Sequence, residues 1–426
     1  MNMKKIKFLI KHSFVGSILL YFFRFLSFLS NLFDKKLKLP FVFLKDSNNA
    51  VFFGYHDKTP FSKDNTKILA MSVNANDKRA DSEGEIMKIG YFTFDLNNKF
   101  KYIELTETTT WCWQQGCMLQ WNPKKPNEEI IFNKIINGDY GSIIYNINSH
   151  KPIQEFEFPI YAISPCGNIA ASLNFSRLGR LRPGYGYTSI KDSTKNINAP
   201  IDDGIFIIDL NTGKRSLILS LYILAKDFNE LDSINSQHYV NHLSFSPNSN
   251  ILVFFHIIVN PNGEKRIRFL SYNFSNKKTQ VIEESKIVSH FCWKDNCTIL
   301  VTTKDKACNH WEYLFYNICE NSSNIITGLE MNTDGHPMCS PLNNSVFVLD
   351  SRLNMYREDS VLVFSTKSKN MINVATFNLP YLYEGQVRCD LHPRWDRKGD
   401  FICVDTVHKN KRTMAIINVK SIKNKL

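Results

Sequence analysis

No two cysteines stand in C-x-x-C spacing anywhere in the 426 residues, which removes zinc ribbons and thioredoxin-like redox chemistry from consideration. The ten cysteines are sparse, and several sit in apolar runs such as FICVD. There a thiol serves as a small hydrophobe, and a reduced compartment is the simpler expectation. The body also lacks a strong charge of one sign. The net charge is +12, but Lys4, Lys5, Lys7, Lys11, Arg24, Lys35, Lys36 and Lys38 against Asp34 place +7 in the first 38 residues and leave +5 for the rest. No nucleic-acid partner is expected, because such binders gather basic charge on the folded surface. With 43% hydrophobic and 22% charged residues, the chain is neither disordered, collagen-like nor coiled coil. Its length suffices for a large domain with a real core.

One long apolar run is present. Phe14 to Phe33 is mostly Phe, Leu, Ile and Tyr, while Ser13, Ser17, Arg24, Ser27 and Asn31 recur at helical spacing along one narrow face. This pattern predicts a helix over residues 1–40 that lies in or dips into a membrane. The run is followed by FDKKLKLP rather than a small-residue cleavage site, so cleavage as a secretory signal is not expected. Flanking lysines favour the cytoplasmic leaflet. A helix buried in the core of the body is the alternative.

Helical periodicity almost vanishes after Pro40, and a repeat takes over. A short turn followed by an apolar strand recurs as FSKDNTKILAM, WNPKKPNEEIIF, ISPCGNIAAS, FSPNSNILVFF, WKDNCTILVT, CSPLNNSVFVL and WDRKGDFICV. The first turn residues are Ser62, Asn122, Ser164, Ser246, Lys294, Ser340 and Asp396. Most copies are followed by a further strand ending in a polar turn, as in GIFIIDLNTGK. Seven such units of about four strands predict an all-β domain over residues 41–426, a seven-bladed β-propeller. Two stacked sandwiches would not repeat one turn-strand signature seven times. The wide interval from Ser164 to Ser246 must hold excursions from the ring, where binding sites are commonly built.

Four residues before the turn marker stand His242, His290, His336 and His392 in the last four units. Equivalent positions of successive blades surround the central axis, so these imidazoles should converge there. That suits a divalent metal held by imidazoles, with one left for proton transfer. Capping of each blade by its own histidine is the structural alternative. His238, His408 and Cys389 are expected near the same rim, His408 as a further metal ligand and Cys389 as a possible thiolate ligand or a buried thiol. His12, His56, His150, His256 and His310 fit no pattern. SRLGRLRPGYGY gathers Arg177, Arg180, Arg182, Tyr185 and Tyr187 in a composition suited to carboxylates and sugar rings. WCWQQG adds Trp111, Trp113, Gln114 and Gln115, a sugar platform or core aromatic packing.

On FFGYHDKTPFS, WCWQQGCMLQW, RLRPGYGY, HYVNH, SHFCW, TDGHPMCSP and CDLHPRW, the chain after residue 45 resembles the seven-bladed propeller polysaccharide lyases, the group of oligogalacturonate and ulvan lyases. The resemblance implies β-elimination on a uronate-containing polysaccharide or oligosaccharide. It also implies a central divalent metal (Zn, Mn or Ca), with His336 and His392 as ligands and His242 and His290 as further ligands or proton-transfer groups. The chain departs from the oligogalacturonate lyase run Gln-x-x-His-x-His, carrying Cys389, His392 and Arg394 there. Gln115 and Asn133 are the nearest residues to the early histidine pair of ulvan lyases.

β-Elimination must neutralise a carboxylate and remove the adjacent proton. The expected roles are neutralisation by the metal with Arg182 or Arg394, proton abstraction by Tyr187 or His238, and sugar contacts from Trp113, Gln115 and Arg177. With the N-terminal helix, this would fit a relative working in capsule or exopolysaccharide production. Two rivals remain: a non-catalytic membrane-anchored scaffold, and a hydrolase using two of Asp202, Asp203, Glu384 and Asp390.

Overall fold

The computed structural model describes residues 39–74, 76–80, 83–93, 100–227, 235–329, 331, 333–354 and 357–425. Seven four-stranded antiparallel sheets succeed one another along the chain. Blades 1 to 6 occupy residues 50–108, 120–156, 162–220, 237–283, 287–325 and 338–378, and each pairs its strands in chain order. Blade 7 takes three strands from residues 394–418 and its fourth from Phe41–Leu44, which pairs with Lys411–Asn418 in the register Phe41 to Ile417 and Leu44 to Met414. Closure therefore ties the first described strand and the last through one shared sheet.

Each repeat marker closes the turn after the first strand of its blade with one equivalent hydrogen bond. The N–H groups of Ser62, Asn122, Ser164, Ser246, Lys294, Ser340 and Asp396 donate to the carbonyls of Lys67, Glu129, Ile169, Ile251, Thr298, Val346 and Phe401, all at 2.8–3.0 Å. The seven sequence copies are thus seven copies of one hairpin. Large apolar side chains from neighbouring blades interlock between the sheets. Phe291 of blade 5, for example, lies 5.4 Å from Phe255 and 4.7 Å from Phe269 of blade 4.

The wide interval contains the short helix Phe175–Leu181, capped by Asn174 through its bond to the N–H of Arg177, and a second helix, Leu221–Lys226. The expected helix over residues 1–40 falls almost wholly outside the described residues. Among the described residues no helix is long and apolar enough to cross a membrane. A reduced compartment is the simpler expectation for the cysteines; eight of them are free thiols, but Cys297 and Cys319 form a disulfide between two turns of blade 5.

Candidate functional site

The innermost strands do not run straight past the axis. In blade 4 the pairing slips between Asn241 and Ser244, and in blade 5 between Val288 and His290. A bulge of this kind spends a residue to re-aim a side chain. His242 and His392 adopt left-handed backbone conformations, with φ of 54° and 45°, which for non-glycine residues persist only where surrounding contacts impose them. Gly54 supplies a third departure. Its φ is +109°, and a Cβ there would come within 3.0 Å of the Gln115 backbone, so the chain carries Tyr55 and His56 into the axis only with glycine at this point.

The imidazoles meet. Ring centres lie 3.9 Å apart for His290 and His336 and 4.4 Å apart for His336 and His392. His56 stands 5.2 Å from His336. Tyr55 fills the middle, 4.8 Å from His242 and 4.9 Å from His392. A cavity of about 270 Å³ adjoins the cluster, lined by His56, His242 and His290 and by Phe245, Trp293 and Cys339 close to the blade turns.

Carboxylates and a carbonyl hold the rings from outside. Asp334 lies 2.9 Å from His290 Nδ1, and Asp350 lies 2.9 Å from His336 Nδ1. His392 Nδ1 donates to the Gly54 carbonyl at 2.7 Å. Because that carbonyl can only accept, the proton of neutral His392 resides on Nδ1 and its Nε2 presents a lone pair. His336 Nδ1 faces instead the Asp350 carboxyl, which burial pushes up to about 8. Nε2 of His336 and Nε2 of His392 are both buried with no hydrogen-bond partner. Burial, reinforced by mutual repulsion within the cluster, lowers the pKa of His336 well below the ordinary value, and burial lowers that of His392 as well.

His336, His392 and Asp390 offer ligand atoms that all lie within 4.8 Å of one another. Burial works against the charge on Asp390, but Arg388 and Arg352 outweigh it and hold the carboxyl well below its ordinary range. Arg388 Nε donates to Asp390 at 2.8 Å. Arg352 bridges Asp334 at 2.7 Å and Asp390 at 3.5 Å. Two orphaned imidazole nitrogens, an ionised carboxylate and outer carboxylate–histidine bonds fit a divalent cation.

Of the residues singled out from sequence, His242, His290, His336 and His392 come together at the axis. Arg182 reaches the same region, its guanidinium 5.0 Å above the ring of Tyr185, which stands edge-on to His242. Gln115 donates to the Tyr161 hydroxyl at 2.6 Å within the wall. The others lie elsewhere.

His408 is no candidate ligand, because it ends the second strand of blade 7 and stacks on Phe43 of the closing strand at 4.0 Å. Tyr187 is buried against Phe175 at 4.5 Å and accepts a bond from Asn133, so it faces no substrate. His238 is buried beside His256, with ring nitrogens 2.9 Å apart. Arg177 spends its guanidinium on the carbonyls of His238, Thr194, Ile197 and Asn198 and pins the excursion to blade 4. Trp113 packs in the core under the guanidinium of Arg412. Arg394 is fully buried on Asp405 and on the Gly54 and Tyr55 carbonyls, where it supports the axial segment rather than a ligand. Cys389 is buried among Leu379, Tyr383 and Val407, and burial pushes its thiol up to about 12, which disfavours a thiolate.

Sequence reasoning passed over His56, Tyr55, Asp334, Asp350, Arg352 and Arg388, and weighed Asp390 only as a hydrolytic acid. A signal existed for two of them. Asp334 and Asp390 each stand two residues before an axial histidine, in DGH and DLH.

No family model matches the chain, and no curated protein is significantly similar to it in sequence. Solved structures are similar in fold. An oligogalacturonate lyase in complex with manganese superposes with a TM-score of 0.66 at 13% identity, over 91% of this chain and 96% of that one. An oligogalacturonate lyase from Vibrio parahaemolyticus gives a TM-score of 0.63 at 13% identity, over 92% and 96%. The chain is therefore a seven-bladed propeller with the fold of the oligogalacturonate lyases.

Proposed function

We propose that the protein is a polysaccharide lyase-like enzyme that cleaves a uronate-containing polysaccharide or oligosaccharide by metal-assisted β-elimination. The observation that carries this reading is the pair of buried, unpartnered Nε2 atoms of His336 and His392 beside the Asp390 carboxylate. The shared fold with two oligogalacturonate lyases, one of them a manganese complex, supports it. A divalent cation bound there would supply positive charge to the sugar carboxylate as the adjacent carbon acquires enolate character.

The remaining roles fall to the chain. Arg182 is exposed, and Arg352 and Arg388 keep 40% and 26% of their side chains accessible at the rim, so they would orient the anionic substrate. His242 is partly exposed, faces the cavity and is kept neutral by burial, which suits a proton acceptor better than Tyr187 or His238.

Ultraviolet detection of the new carbon–carbon double bond tests the reading on a panel of uronate glycans with Mn2+, Zn2+ or Ca2+ present. Absence of unsaturated product from every polymer with the metal-loaded protein would refute it. The apolar residues 14–33 support placing this activity at a membrane, in surface-polysaccharide metabolism; the flanking lysines favour its cytoplasmic face, while the Cys297–Cys319 disulfide weighs against that face. Fractionation of the full chain against one lacking residues 1–40 checks the anchor.

A further inference from the structure

Cys292 is the penultimate residue of the first strand of blade 5, Ile287–Trp293, and Cys339 ends the first strand of blade 6, Met338–Cys339. Neither belongs to the hydrogen-bonded pairing of the other's sheet: Cys292 faces Leu300 and Cys339 faces Phe347. Their sulfurs nevertheless approach to 3.6 Å across the gap between the blades. Both side chains are partly accessible and both line the axial cavity of about 270 Å³. The remaining free thiols differ. Cys112, Cys117, Cys389 and Cys403 are buried, while Cys166 and Cys308 are exposed.

We propose that Cys292 and Cys339 are a modification site, a dithiol that small peroxides oxidise to an inter-blade disulfide and thiols reopen. A sulfur separation of 3.6 Å must close to about 2.05 Å for the bond to form. In the first step Cys339 attacks the peroxide as a thiolate, since burial raises the Cys292 thiol well above its ordinary range, and becomes a sulfenic acid while the other peroxide oxygen leaves as water with the thiol proton. The second thiol attacks that sulfur and expels its oxygen as a second water. The S–S bond forms as the pair loses two electrons and the peroxide gains them. The cavity brings the oxidant to both sulfurs, so the first product meets its resolving partner before a second oxidation.

The test treats the full chain with hydrogen peroxide, blocks remaining thiols with N-ethylmaleimide and digests without reductant. Mass spectrometry should find one peptide pair joined through Cys292 and Cys339, lost on dithiothreitol treatment and absent from Cys292→Ser and from Cys339→Ser. The Cys297–Cys319 peptide pair reports that the fold is intact in each variant. Recovery of Cys292 and Cys339 as separate maleimide adducts after Cys166 and Cys308 have been oxidised would overturn the proposal. So would their appearance as unlinked sulfinic acids.

Discussion

Asp350 holds His336 at two points. Its Oδ1 accepts the backbone N–H of His336 at 2.7 Å, and its carboxylate lies 2.9 Å from the ring Nδ1. Its other oxygen accepts the N–H of His392 at 3.1 Å. One carboxyl group at the end of a blade 6 strand thus sets the position of two axial imidazoles. Such outer partners commonly govern metal affinity by about 10–100-fold. Asp350→Asn should weaken Mn2+ binding by about that factor while leaving the propeller folded, as read by calorimetric titration alongside far-ultraviolet circular dichroism.

Removal of the ligands themselves should have a sharper effect. The double variant His336→Ala/His392→Ala should lose stoichiometric metal in elemental analysis and lose turnover together. Retained turnover in a folded, metal-free double variant would defeat the proposed chemistry. Loss of metal without any turnover in the parent protein would favour the scaffold reading instead.

Residues placed away from the axis should separate stability from activity. Tyr187→Phe removes the bond from Asn133 and should cost about 1 kcal/mol, with turnover unchanged. His408→Ala removes the stacking on Phe43 and should leave metal stoichiometry intact. Urea denaturation and product assays on the same preparations check both.

Arg177→Met should be among the most destabilising changes at a polar residue. It removes the guanidinium bonds to the carbonyls of His238, Thr194, Ile197 and Asn198, of which those of Thr194 and Asn198 keep the backbone N–H groups of Ile197 and His238 as partners, and a buried acceptor left unsatisfied typically costs about 1–3 kcal/mol. Part of that loss would be recovered by water entering the excursion. A fall in midpoint matching an ordinary surface substitution would contradict the bonding described.

Burial pushes the carboxyl of Glu83 up from its ordinary 4.5 to about 7, against the opposing bond from the Trp113 N–H at 3.1 Å. The folded form holds this proton more tightly than the unfolded form. Its contribution to stability is therefore complete below pH 4.5 and is lost as the pH rises to about 7. Glu83→Gln should remove that decline, and with allowance for partial solvent screening the difference should be about 2 kcal/mol at neutral pH. Thermal melts of both proteins from pH 5 to pH 8 give the comparison.

The ring could be read without coordinates because each blade writes its first hairpin locally. A turn of Ser, Asn, Asp, Pro and Gly followed by an apolar strand is a short-range instruction, and its seven copies count the blades. Four axial histidines were legible for the same reason, since a fixed offset from a repeated turn is a fixed place in every blade. Aspartates two residues before His336 and His392 carried the same kind of mark.

What escaped that logic depends on contacts between distant segments. His56 follows no offset. It reaches the axis because Gly54 turns the chain there and Arg394, some 340 positions away, grips the Gly54 carbonyl. His408 and Tyr187 have suitable chemistry but are claimed by Phe43 and Phe175, partners that pattern alone does not pair with them. Local turn chemistry specifies how many blades there are and where each begins. Which polar groups remain unpaired at the centre is settled by packing between blades, because a donor or acceptor is free for chemistry only after every neighbour brought in by folding has been counted.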